Sequence, residues 1–229
     1  MTNDKAQMTK VKICGITNLE DAVEACERGA DLLGFIFIGG TPRAVDSGTA
    51  KGVIDGLGRH RESVSTVGLF KDEEIDVVAG TVAECGLDLV QLHGGEKPAY
   101  CSELKKTLEE KDHPRVKIIK VFKVGDDILP VGAYIPDDYM DAEFFVFDTY
   151  HPEVAGGSGE RFDWEVLARE KEKIRKPFFI AGGLAPENVA EAVSAVRPYG
   201  VDVSSGVEKA PGKKDKDKIK EFIENAKKA

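Results

Sequence analysis

From residue 11 to residue 203 the chain repeats one pattern: a short apolar run that does not alternate with polar residues, then a longer stretch of helical periodicity. Strands that read this way are covered on both faces, and helices packed on either side of a parallel sheet supply that cover. The runs are Val11–Cys14, Leu32–Ile38, Val64–Phe70, Leu87–Leu92, Val116–Phe122, Phe144–Phe147, Phe178–Ala181 and Val201–Val203. Helical patterns are read at Leu19–Arg28, Gly48–Leu57, Glu73–Glu84, Pro98–Lys111, Trp164–Ile174, Pro186–Val196 and Asp215–Ala226. The fifth connection carries Pro130 and Pro136, which break a long helix, so a short or irregular element is expected there.

Eight strand–helix units in 229 residues match the size of a closed (β/α)8 barrel, whereas an open doubly wound sheet uses fewer strands. The expected fold is therefore α/β, a single-domain (β/α)8 barrel. A quasi-repeat supports it: "RGADLLGF", "CGLDLVQL" and "YGVDVSSG" each run Gly, apolar, Asp, apolar, as a helix-capping glycine followed by strand entry would. Residues 1–8 read as a polar, frayed tail and 9–229 as the barrel, with no linker-like stretch between. "EKAPGKKDKDK" reads as a charged lead-in to the last helix, and the lysines around it as a solvated face.

The formal charge of −9 argues against a nucleic-acid partner held by phosphate neutralisation, although a local pocket can still take one small anion. No run has the length of a signal-peptide core or a membrane helix, so a cytoplasmic protein without a membrane partner is expected. The four cysteines form no C-x-x-C pair and have no histidine at zinc-finger spacing, so neither a metal site nor a disulfide framework is expected.

In such a barrel the reacting groups lie where strands end at their C-terminal side. Gly182 and Gly183 after the seventh run, and Ser204, Ser205 and Gly206 after the eighth, let backbone N–H groups converge on an oxyanion where barrels commonly hold a phosphate. A lone Gly-Gly pair more often just makes a tight turn; two small-residue loops on consecutive strands favour phosphate. Asp148 ends the apolar run "EFFVF" and fits a general acid, or equally a cap or an arginine partner. Cys14 ends the first run. An isolated free cysteine is ordinarily packed and inert, and as a base it needs a thiolate fraction that an ordinary pKa of about 8.5 does not provide. Arg43, in the loop after Pro42, has the fork that grips a carboxylate, though most loop arginines are solvated. His93, in "QLHGG", either positions a substrate or is an ordinary strand-end histidine.

Taken in order, "KICGITNLEDA", "LGFIF" with "TPR", "VGLF", "VQLHG", "FDT" with "GGSG" and "FDW", "AGGLAPENV" and "VDVSSGVE" with "PGKKD" resemble the phosphoribosylanthranilate isomerase family of tryptophan biosynthesis. The resemblance runs from about Lys10 to Lys228. It implies a (β/α)8 barrel, a small phosphoribosyl substrate, and an Amadori rearrangement without metal or organic cofactor, in a monomer or homodimer. It assigns the general base to Cys14, the general acid to Asp148, and the contact with the anthranilate carboxylate to Arg43. His93, Gly157, Ser158 and Asp202 fall in matching motifs as substrate-binding positions, and the "GGSG" loop, Gly156 to Gly159, suggests a lid. The loop "FIGGTPR" and the segment from Pro130 to Tyr139 depart from the family pattern. A related barrel isomerase of histidine biosynthesis would have aspartate at Cys14, and a non-catalytic phosphate-binding barrel need not keep base, acid and arginine at three strand ends.

Overall fold

The computed structural model describes residues 8–124, 136–148, 167–169 and 171–229. Eight parallel strands close on themselves in sequence order: β1 Lys10–Cys14, β2 Leu32–Ile36, β3 Ser65–Phe70, β4 Leu89–Leu92, β5 Lys117–Lys123, β6 Phe144–Asp148, β7 Phe178–Ala181 and β8 Gly200–Val203. The expected (β/α)8 barrel is the observed one.

Successive strand residues point to opposite faces, and here the two faces build two separate cores. Leu32, Val67, Leu69, Leu89, Ile119, Val121, Val146 and Phe179 point inward and pack with Cys14 inside the barrel. The intervening residues, among them Val11, Ile13, Leu33, Phe35, Val90, Ile118, Phe145, Phe147 and Ile180, pack outward against the helices. Both faces are thus apolar, which is why the runs show no alternation. This inward register also decides the chemistry: Lys12 and Cys14 on β1, Gln91 on β4 and Asp202 on β8 share it.

The helices are α1 Leu19–Glu27, α2 Ser47–Gly56, α3 Ile75–Cys85, α4 Pro98–Glu110, α5 Val189–Val196 and α6 Lys216–Lys228. Their ends follow local chemistry. Asn18 accepts from the Asp21 N–H at 2.9 Å and starts α1; Asp46 accepts from the Thr49 N–H at 2.7 Å and starts α2; Pro98 opens α4 at a position where a missing N–H costs nothing. The first two members of the quasi-repeat behave as expected, with Gly29 and Gly86 at φ of 93° and 67° past their helices. The third does not. Gly200 lies inside β8, where the Phe179 ring takes the space of its missing side chain, and Arg197 makes the left-handed cap of α5.

Three other expectations change. The helix read from Pro186 begins at Val189, because Asn188 is occupied upstream: its Oδ1 accepts from the Ala185 N–H and its Nδ2 donates to the Gly183 carbonyl. Within the helix read at Trp164–Ile174, residues 164–166 and 170 lie outside the described residues; 167–169 are helical and Lys171–Lys173 form a 3₁₀ turn. The stretch "EKAPGKK" is a β-hairpin, β9 Glu208–Ala210 with β10 Lys213–Lys214, rather than a charged lead-in. Pro211 and Gly212, the latter at φ 77°, supply the residues a type II turn requires. The hairpin docks on the barrel mouth: Thr17 donates to the Gly212 carbonyl, and the Lys214 N–H donates to Asp21.

At the opposite, N-terminal end a cavity of about 270 Å³ is lined by Lys10, Asp31, Leu32, Lys117, Phe144 and Tyr199, among others. That end of a barrel serves stability. Among the described residues no helix is long and apolar enough to cross a membrane.

Candidate active site

The order of strands round the barrel sets the layout of the mouth. Because β6, β7, β8 and β1 are consecutive, Asp148 at the end of β6 and Cys14 at the end of β1 flank the two loops that follow β7 and β8. Acid candidate, two small-residue loops and base candidate therefore follow one another along one arc of the rim.

Asp148 follows Val146 by two residues and so shares its inward register. It is partly shielded, and the His93 Nε2 lies 3.4 Å from its Oδ2. His93 is held in turn by its loop. Its N–H donates to the Phe70 carbonyl, and beyond it Glu96 accepts from the Gly94 and Asp72 N–H groups while Lys120 donates to Glu96 at 2.6 Å and to the Gly94 carbonyl at 2.8 Å. Glu96 and Lys120 are buried, so this pair fixes backbone rather than decorating a surface.

The loops after β7 and β8 that carry the phosphate candidates lie against each other. Gly182 and Gly183 both have positive φ, 88° and 63°, so the chain after β7 turns in a way that side-chained residues resist. Ser205–Val207 form one 3₁₀ turn directly after β8, and Gly206 presses on the first loop: a Cβ there would stand 1.9 Å from the Leu184 carbonyl oxygen. The Ser204 Oγ is buried with no hydrogen-bond partner.

Cys14 lies at the β1 end opposite Gly34, its register partner on β2. A Cβ at Gly34 would meet the Cys14 Sγ at 2.9 Å and the Lys12 Nζ at 3.1 Å, so the absence of a side chain there is what admits both groups. Lys12 is fully buried, and its Nζ donates to the Asp202 Oδ2 at 2.8 Å, across the β1–β8 pairing in which the two residues are register partners. The Asp202 Oδ1 and the Gln91 Oε1 are buried without partners. Burial pushes the Cys14 thiol up from its ordinary value; the Lys12 and Lys214 ammoniums pull the other way, and Asp202 adds to the rise.

Arg43 is not a solvated loop arginine. Its Nε and Nη2 donate to the two Glu208 oxygens at 2.8 and 2.6 Å, and Lys214 donates to the same carboxylate at 3.0 Å and to the Ser204 carbonyl at 3.0 Å. The pair uses the Nε–Nη2 edge of the guanidinium. Gly157, Ser158 and the "GGSG" lid lie outside the described residues.

The structure brings Cys14, Asp148, Arg43, His93, Asp202 and the two loops to one rim. Lys12, Glu208, Lys214 and Gln91 lie there too, and the sequence motifs do not single them out. Lys12 had a readable signal, a cation inside an apolar strand two residues before Cys14. Glu208 and Lys214 had a weaker one, the Pro-Gly turn between them.

The arrangement suits proton transfer on a phosphorylated small molecule, and comparison with known proteins agrees. Residues 11–225 match the model of the N-(5'-phosphoribosyl)anthranilate (PRA) isomerase family. The chain is 48% identical over 222 residues to N-(5'-phosphoribosyl)anthranilate isomerase of Geobacter sp. (strain M21), covering 96% of this chain and 99% of that one. It is similar to the crystal structure of phosphoribosyl anthranilate isomerase from Thermotoga maritima, with TM-score 0.79, 39% identity and coverage of 97% and 100%. It is also similar to a phosphoribosyl anthranilate isomerase crystallised with reduced 1-(o-carboxyphenylamino)-1-deoxyribulose 5-phosphate, with TM-score 0.76, 36% identity and the same coverage.

Proposed function

Given that the chain belongs to the N-(5'-phosphoribosyl)anthranilate isomerase family, we propose that Cys14 is its general base and Asp148 its general acid. The protein is an aldose–ketose isomerase of tryptophan biosynthesis: it converts N-(5-phosphoribosyl)anthranilate to 1-(2-carboxyphenylamino)-1-deoxyribulose 5-phosphate.

The division of roles follows from the chemistry. The closed furanose gives no electron sink at C1, so the C2 proton is not acidic until the ring opens. Asp148 donates a proton to the ring oxygen, the C1–O bond breaks, and the anthranilate nitrogen lone pair forms an iminium at C1. Cys14 then takes the C2 proton, and the C2–H electrons close a C1–C2 double bond to give the enolamine. Loss of the C2 hydroxyl proton and protonation at C1 give the ketone. No redox partner is consumed. Two groups with opposite protonation duties suit this sequence.

Around that step, the Gly182–Gly183 loop and the Ser204, Ser205 and Gly206 turn take the phosphate, Arg43 takes the anthranilate carboxylate, and Asp202 and His93 take sugar hydroxyls. The family resemblance also places Gly157 and Ser158 among the substrate-binding residues. The observation that supports this reading is the rim order: Asp148, the loop after β7, the loop after β8 and Cys14, on four consecutive strands. We further read the chain as a cytoplasmic monomer or homodimer; sedimentation velocity decides between the two. The catalytic roles are tested by following the decay of anthranilate fluorescence with wild type, Cys14→Ser and Asp148→Asn. Losses of several orders of magnitude for Asp148→Asn and a large loss for Cys14→Ser, with unchanged circular dichroism, support the assignment. Near-wild-type turnover in either variant removes that residue's role.

A further inference from the structure

A thiol at the end of an apolar strand is a poor base for a physical reason: burial opposes its charged form. The structure supplies a counterweight. Lys12, two residues earlier on the same face of β1, has a side chain with no exposure to solvent, and its ammonium borders the same small space at Gly34 that the Cys14 sulfur borders. A lysine is almost never buried so completely without a purpose or a partner, and the carboxylate it pairs with among the described residues, Asp202, meets it through a single oxygen.

The groups facing Cys14 come from every element around it. Lys12 comes from β1, Asp202 from β8, Arg43 from the loop after β2, and Lys214 from the hairpin, where Glu208 pairs with both Arg43 and Lys214. Lys12, Lys214 and Arg43 favour a negative charge on the sulfur and Asp202 opposes it, while Glu208 and Asp21 hold the hairpin end of the cluster. Burial lowers the Lys214 ammonium's hold on its own proton, so its part in that balance is the weaker; Lys12 keeps its proton in spite of burial, because Asp202 and Cys14 both favour the charged form.

Resting on the reading of Cys14 as the base, we infer that Lys12 is the positioning residue that makes it one: its buried ammonium, clamped by Asp202, stabilises the thiolate at the barrel mouth. Lys12 touches no reacting atom. Asp202 sets how much of the ammonium's field reaches the sulfur, so a ligand hydroxyl donating to the unpartnered Asp202 Oδ1 weakens the clamp and strengthens the thiolate when substrate is bound.

The test is a pH titration of ultraviolet thiolate absorbance in the full-length enzyme, each protein read against its own Cys14→Ser counterpart so that the other three cysteines cancel. Lys12→Met should raise the Cys14 midpoint by at least about one pH unit and move the rising limb of the kcat/KM profile the same way. Asp202→Asn, which leaves the ammonium unopposed, should lower the midpoint. These opposite shifts are not what a merely structural pair would give, and the second arm stands if Lys12→Met does not fold. An unmoved midpoint in Lys12→Met, or an unmoved or raised one in Asp202→Asn, overturns the inference. Full activity of Cys14→Ser alongside the expected shifts would instead sink the assignment of the base and leave the electrostatics standing.

Discussion

Arg43 and Glu208 form a two-pronged ion pair, Nε to Oε1 at 2.8 Å and Nη2 to Oε2 at 2.6 Å. The pair aims the guanidinium instead of leaving a long side chain to be ordered on binding, and ordering such a side chain costs about 0.5–1.5 kcal/mol at an interface. Removing the fork should therefore weaken binding more than chemistry. Arg43→Ala is expected to raise KM by at least about tenfold with a smaller change in kcat. An unchanged KM in steady-state kinetics rejects the carboxylate contact.

Glu208 also links stability to pH. Burial alone would raise its carboxyl pKa, but the Arg43 and Lys214 donors outweigh burial and hold it below the ordinary value. A depressed carboxyl stabilises the fold above its unfolded pKa of about 4.3 and loses that contribution as pH falls through the folded value. The melting-temperature gap between wild type and Glu208→Gln should accordingly be widest near neutral pH and close in acid. A gap independent of pH contradicts the coupling.

Gly206 is where the loops after β7 and β8 press closest, and we propose that these loops hold the phosphate. Its missing side chain would stand 1.9 Å from the Leu184 carbonyl oxygen, a backbone atom that cannot rotate away. Gly206→Ala must push the two loops apart, at a cost on the order of 1–3 kcal/mol. Substrate KM and the inhibition constant of inorganic phosphate should rise together. A change in KM alone would place the phosphate elsewhere.

His93 approaches Asp148 at 3.4 Å from a loop that Glu96 and Lys120 brace. We read it as aligning the acid and a substrate hydroxyl. His93→Ala should lower kcat by about ten- to a hundredfold, the range expected when a reacting group is displaced by an ångström, and by less than Asp148→Asn does. Equal losses in single-turnover experiments would make His93 part of the proton-transfer step itself.

How much of this was legible in the sequence depended on whether a feature was written locally. The eight strands read correctly because both of their faces are buried, as the division between Val146 inside and Phe145 and Phe147 outside shows. The placement of Cys14, Asp148 and the glycine loops at strand ends was legible because strand ends and small-residue turns are adjacent in sequence. Lys12 was not, since its meaning lies in Asp202, a partner 190 residues away. Lys214 looked like one solvated lysine among many, and only the closing of the Pro211–Gly212 turn carries it to Glu208 and out of water. Gly200 resembled the capping glycines Gly29 and Gly86, but its constraint is the Phe179 ring across β7 and β8, which no local pattern records.

The central claim is that Asp148 opens the ring and Cys14 removes the C2 proton, and substrate deuterated at C2 separates these two steps. In single-turnover fluorescence decay, Cys14→Ser should be slow and show a full primary isotope effect, because C–H cleavage then limits the rate. Asp148→Asn should be at least as slow and show none, because ring opening limits it. A large isotope effect in Asp148→Asn together with none in Cys14→Ser would contradict the account.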